Sequence, residues 1–160
     1  MRRLLGGVLA LLMMGLGLVA TPAQAQDNAF VGVSAVRILV EGLADDAAKC
    51  NVTESGLDAA ARLPLDASRL RITPDGSSFV YVNVTALSPD SGLCAAYVSV
   101  ALKRELAIPG TNQFVFGATV WESGTIMSGS PSDFGQRVNQ QVDDRTKRLI
   151  AEWIKANPRR

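Results

Sequence analysis

The chain has 160 residues, with 16 basic and 15 acidic side chains, no histidine and a formal net charge of +1 at neutral pH. So even a balance removes the electrostatic case for nucleic-acid binding. The missing histidine removes the commonest general base, Ser-His-Asp and Cys-His catalysis, and the usual zinc sites.

Arg2 and Arg3 precede an apolar run from Leu4 to Ala20, and Ala23-Gln24-Ala25 has the small-x-small pattern of a signal-peptidase cut. Residues 1–25 therefore read as a cleaved secretory signal peptide, and 26–160 as one domain delivered to the periplasm or secreted. An uncleaved anchor is the competing reading of the apolar run, and its glycines and small-x-small end favour cleavage. Losing Arg2 and Arg3 takes the net charge from +1 to about −1. No lipid-attachment cysteine follows the run, and no second apolar stretch is long enough to span a bilayer. Stable membrane insertion after cleavage is not expected.

Phe30 to Leu43 alternates like a strand, with a slip of parity near Ala35 and Val36 that predicts a bulge or bend. Thr53 stands as an N-cap ahead of Leu57, Ala60 and Ala61, and Pro64 is expected to stop that short helix. Arg69 to Thr73 is a short strand before the turn Pro74-Asp75-Gly76. Phe79 to Leu87 follows, with Val80, Val82 and Val84 on one face. The turn residues Ser88 to Gly92 join it to a strand over Cys94 to Leu106, predicting an antiparallel hairpin. Ile108 to Asn112 makes another turn into a strand over Phe114 to Ile126, with Phe116, Ala118 and Val120 on one side and Thr119 and Trp121 on the other. Ser130 caps, Pro131 takes the first helical position, and Phe134, Val138, Val142, Leu149, Ile150 and Trp153 trace the apolar stripe of a long helix.

The order β-α-β-β-β-β-α predicts an α+β fold, a two-layer sandwich whose antiparallel-rich sheet of four to five strands carries two helices on one face. Cys50 and Cys94 are the only cysteines in a chain bound for an oxidising compartment, so a disulfide is expected. Closing a loop of roughly 45 residues would stabilise the fold by about 4 kcal/mol.

Motifs for phosphate cradling or dinucleotide binding are absent from the sequence, and no cofactor or metal is expected. Glu41, Glu105 and Glu122 fall on strands, but nothing in the sequence pairs any two of them as a glycosidase needs. Asp45-Asp46 and Asp143-Asp144 lack the spaced oxygen ligands and turn glycine of a calcium loop. Asn51-Val52-Thr53 and Asn83-Val84-Thr85 match the glycosylation sequon, yet read more simply as cap and strand residues. The sharpest signal lies opposite the valines. If the valines pack under helices, Phe79, Tyr81, Tyr97 and Trp121 share a helix-free face with Asn83, Ser99 and Thr119, as in a contact surface. Cross-strand aromatic pairing that merely stiffens the sheet is the plainer alternative.

The runs Phe79 to Val84, Cys94 to Val100, Ala118 to Gly124 and Trp153 to Pro158 resemble a group of small uncharacterised exported bacterial proteins. The resemblance spans about Cys50 to Pro158 and brings no assigned activity. More loosely, two helices on a sheet look like accessory domains of bacterial envelope machines, such as the amino-terminal domain of TolB-like proteins and outer-membrane assembly lipoproteins. The expectation is a non-enzymatic accessory or binding protein that meets a protein partner, or another copy of itself, through the aromatic face. A carrier of a small apolar ligand is the alternative, with a pocket lined by Val82, Val98, Val142 and Leu149. A carboxylate-pair hydrolase is the remote one.

Overall fold

A computed structural model describes residues 29–88 and 92–158. The signal peptide assigned to residues 1–25, and positions 89–91 of the turn after Leu87, lie outside the described residues. The elements run β1 (Ala35–Val40), α1 (Asp45–Lys49), α2 (Glu54–Asp66), β2 (Arg71–Ile72), β3 (Ser78–Leu87), β4 (Cys94–Ala107), β5 (Phe114–Gly129) and α3 (Pro131–Ala156). They build one five-stranded sheet in the order β2-β1-β3-β4-β5. The α+β two-layer reading holds.

Val80, Val82, Val84 and Ala86 of β3 and Ala96, Val98, Val100 and Leu102 of β4 pair across an antiparallel ladder and are buried. They meet Leu57, Ala61 and Leu65 of α2 and the stripe Phe134, Val138, Val142, Leu149, Ile150 and Trp153 of α3 in one core cluster. Helix α3 starts where its sequence says: Ser130 Oγ accepts from the Ser132 N–H, and Pro131 leads the first turn. In its interior the Thr146 hydroxyl donates back to the Val142 carbonyl at 2.9 Å, so this buried polar side chain is satisfied within the helix. The Trp153 indole N–H donates to the Val33 carbonyl at 2.6 Å, tying the helix to the segment before β1.

Four details depart from expectation. The short helix α1 is an element that the predicted order lacks. Strand β1 begins only at Ala35, because Phe30 to Gly32 close a helical turn with Gly32 at φ 77°, which accounts for the parity slip without a bulge. β1 runs parallel to both neighbours, β2 and β3, which the run of residues alone does not reveal. Helix α2 passes through Pro64 and ends at Asp66. Proline removes one backbone donor. Here that loss falls in the last turn, where the Leu63 carbonyl accepts from Ala67 and that of Leu65 from Ser68.

The disulfide joins Cys50, in the turn after α1, to Cys94 at the start of β4, with both residues fully buried. The next residue, Asn51, turns left-handed at φ 57° and donates from its side chain to the Pro131 carbonyl at 2.9 Å. Gly135 of α3 packs directly on this turn. A Cβ at position 135 would sit 1.9 Å from the Asn51 carbonyl oxygen. Neither the helix nor the cross-linked turn can yield freely, so Gly135→Ala is expected to cost about 1–3 kcal/mol despite its better helix propensity. Urea unfolding measures this, with exposed Ser132→Ala as control, and equal midpoints would refute the close approach.

Candidate functional site

The face of the sheet away from the helices carries Arg37 and Leu39 from β1, Phe79, Tyr81, Asn83 and Thr85 from β3, Tyr97, Ser99, Ala101 and Lys103 from β4, and Thr119, Glu122, Gly124 and Ile126 from β5. Strand register sets this list: Phe79 pairs with Lys103 and Arg37, Tyr81 with Ala101 and Leu39, Asn83 with Ser99, Thr85 with Tyr97, and Tyr97 with Ile126. Paired residues point to the same side.

Tyr81 and Tyr97 rim one shallow depression of about 180 Å³, floored by Ser99 and Ala101 and edged by Asn83, Lys103, Thr119 and Glu122. The Lys103 ammonium lies 3.7 Å from the centroid of the Tyr81 ring, and the Arg37 guanidinium 5.0 Å from that of Phe79. Both are cation–π contacts that half-cover the rings. Tyr97 stays open at 41 % exposure. Its hydroxyl donates to Glu122 Oε1 at 3.2 Å, and its ring lies across Gly124, whose missing side chain leaves the room: a Cβ there would meet the phenol oxygen at 2.4 Å.

Glu41, just past β1, closes the same face from the other side. The Tyr81 hydroxyl and the Asn83 amide hold its carboxyl below the ordinary value, and the same bond raises that of the Tyr81 phenol.

Trp121 is a correction. It is 8 % exposed and sits on the helix side, where its ring meets Phe30 edge-on with centroids 6.2 Å apart. The cause is a β-bulge. Leu102 pairs with Trp121 while its neighbour Lys103 pairs with Thr119, so Val120 is an extra residue and both Val120 and Trp121 turn toward the core. Of the four aromatic residues expected to share the open face, Phe79, Tyr81 and Tyr97 therefore lie there and Trp121 does not.

The overhang of β4 and β5 beyond the end of β3 was not anticipated. β3 pairs with β4 only as far as Arg104, whereas β4 and β5 continue to the pair Ala107 and Phe114. Phe114, Val115 and Phe116 stand exposed on this projecting hairpin. Gly117, at φ 67°, supplies the left-handed residue of a second bulge opposite Glu105. Residues 106–121 hold no charge, which is the sequence signal that marks the hairpin. Of the other carboxylates, Glu105 lies beside Phe79 and Phe116 at the base of that hairpin, apart from the depression that Glu122 edges.

The positions named for a ligand pocket, Val82, Val98, Val142 and Leu149, are all fully buried within the shared core cluster, and the surface depressions just described are lined by other residues. Among the described residues no helix is long and apolar enough to cross a membrane.

No protein-family model matches the chain, and no curated protein matches it. Among solved structures it is similar in outline to a PelC dodecamer subunit from Paraburkholderia phytofirmans, with a TM-score of 0.43 and 17 % identity over 74 % of this chain and 87 % of that one. It is also similar to a minor lipoprotein from Acinetobacter baumannii, with a TM-score of 0.36 and 12 % identity over 78 % of this chain and 94 % of that one. At these values the likeness is one of chain course and assigns no role.

Proposed function

We propose that this is a non-enzymatic accessory or binding protein of the periplasm or extracellular space, and that the helix-free face of its sheet meets a protein partner. The observation that carries the reading is the face itself, which no element among the described residues covers. Tyr81 and Tyr97 rim a depression among Lys103, Asn83, Ser99 and Glu122, a mixture of aromatic and polar groups typical of contact surfaces. The buried disulfide and the signal-like residues 1–25 support the compartment. The lack of histidine removes the commonest general base.

The test is capture of partners from envelope extract on immobilised oxidised protein, wild type against Tyr81→Ala/Tyr97→Ala and against Lys103→Glu. Loss of the same captured species with both variants, at unchanged thermal midpoints, is the expected result. Identical capture by all three proteins would place the contact elsewhere and overturn the reading.

A further inference from the structure

The two edges of the sheet are built differently. The β2 edge is two residues long, contains Arg71 and is bordered by Arg69, Pro74 and Asp75, the short and charged kind of edge that resists pairing. The β5 edge is 16 residues long, contains no proline, lysine or arginine, and bears Glu122 as its single charge. Along it every second residue turns its N–H and C=O away from β4, and no strand among the described residues receives them. On its open face it exposes Ile126 at 81 %, Phe116 at 77 % and Phe114 at 54 %. An edge of this length and apolarity is one that proteins otherwise blunt or cover.

We infer that β5 pairs antiparallel with β5 of a second copy about a two-fold axis at Trp121, joining the two sheets into one. A second copy fits because one register makes the strand complementary to itself. Each bulge sets two residues against one of β4, so ladder steps are counted by the β4 partner. With the axis at Trp121, Ile126 falls opposite Phe114 of the second copy, Thr125 opposite Val115, Gly124 opposite Phe116, and Glu122 opposite Thr119. The exposed apolar residues then cover one another, and Phe116 comes up against the Tyr97 ring that lies across Gly124. Moving the axis one step to Glu122 sets two carboxylates face to face, which is unfavourable. A half-step sets open-face residues against core-face residues.

The two-fold closure also explains the overhanging hairpin. In this register the part of β5 that projects beyond β3 is supported by the far half of the second copy's β5. It also leaves both open faces on the same side of the joined sheet. The inference nonetheless stands on the edge alone and does not need the open face to bind anything.

Size-exclusion chromatography with light scattering on the oxidised protein tests it through a charge swap. Wild type is expected at twice the chain mass, and Ile126→Lys and Phe114→Glu each at one chain mass. Ile126→Lys/Phe114→Glu should return to twice the chain mass, because Lys at 126 then faces Glu at 114 of the other copy. Tyr81→Ala, which alters the open face on β3, two strands away from the β5 edge, should stay dimeric. A monomeric wild type, single variants that remain dimeric, a double variant that stays monomeric, or a Tyr81→Ala variant that dissociates would each overturn the proposal.

Discussion

Trp121→Ala is expected to lower the stability of the domain by about 3–5 kcal/mol, the range for truncating a large aromatic side chain in a packed core. The ring is almost wholly buried and packs edge-on against Phe30, which is 1 % exposed. Phe30 in turn fixes the segment leading into β1: Asn157 donates to its carbonyl at 3.0 Å, and Arg104 donates to the Ala29 carbonyl at 2.8 Å. Removing Trp121 therefore empties a cavity and loosens the docking of that segment as well. Urea unfolding monitored by far-UV circular dichroism measures the loss, with Tyr81→Ala as the open-face control expected to change stability by less than about 1 kcal/mol. A second cycle with Phe30→Ala isolates the ring-ring contribution, expected at about 0.5–1.5 kcal/mol. If Trp121→Ala proved as mild as Tyr81→Ala, the ring would have to lie on the open face and the bulge at Val120 would be wrong.

That bulge marks where sequence reading stops. The alternation in Phe79 to Leu87 and Cys94 to Leu106 sorts core from open face correctly, because both strands keep strict parity through a bulge-free ladder. Phe79, Tyr81 and Tyr97 could be placed for that reason. In β5 two extra residues break the count, and only the first leaves a trace, Gly117 at its positive φ. Val120 is β-branched and fits a regular strand as well as a bulge, so nothing local signals that Trp121 has changed sides. Helix α3 was legible at both ends because cap, proline and stripe agree. Pro64 misled, since proline is a strong stop in isolation and a modest loss in a last turn that packs into the core. The cations over Tyr81 and Phe79 were out of reach altogether. Lys103 and Arg37 come from strands on either side of β3, and only the pairing order sets them beside those rings.

Removal of the disulfide should be the other large loss, about 4 kcal/mol for Cys50→Ala/Cys94→Ala by the loop-closure account for a sequence separation of 44. For a domain of this size that corresponds to roughly 12–20 °C in thermal midpoint. The closed loop contains α2, β2 and β3, so in the unfolded chain the bond restrains the helix and the strand that together form one side of the core. The folded state also leans on it. Cys50 is followed by the turn at Asn51 whose carbonyl contacts Gly135, so the bond steadies the point where α3 rests on the α1–α2 connection. Alanine is the right replacement, since it leaves no buried thiol to satisfy or reoxidise. Comparing urea midpoints of the double-alanine variant, oxidised wild type and reduced wild type separates the two contributions: a loop-closure effect lowers both modified proteins alike, whereas damage to the turn falls more heavily on one of them. A loss below about 1 kcal/mol in both would mean that the loop is already ordered without the bond. A loss near 4 kcal/mol would take away a large share of the 5–15 kcal/mol that typically separates folded from unfolded domains, and would tie correct folding to an oxidising compartment.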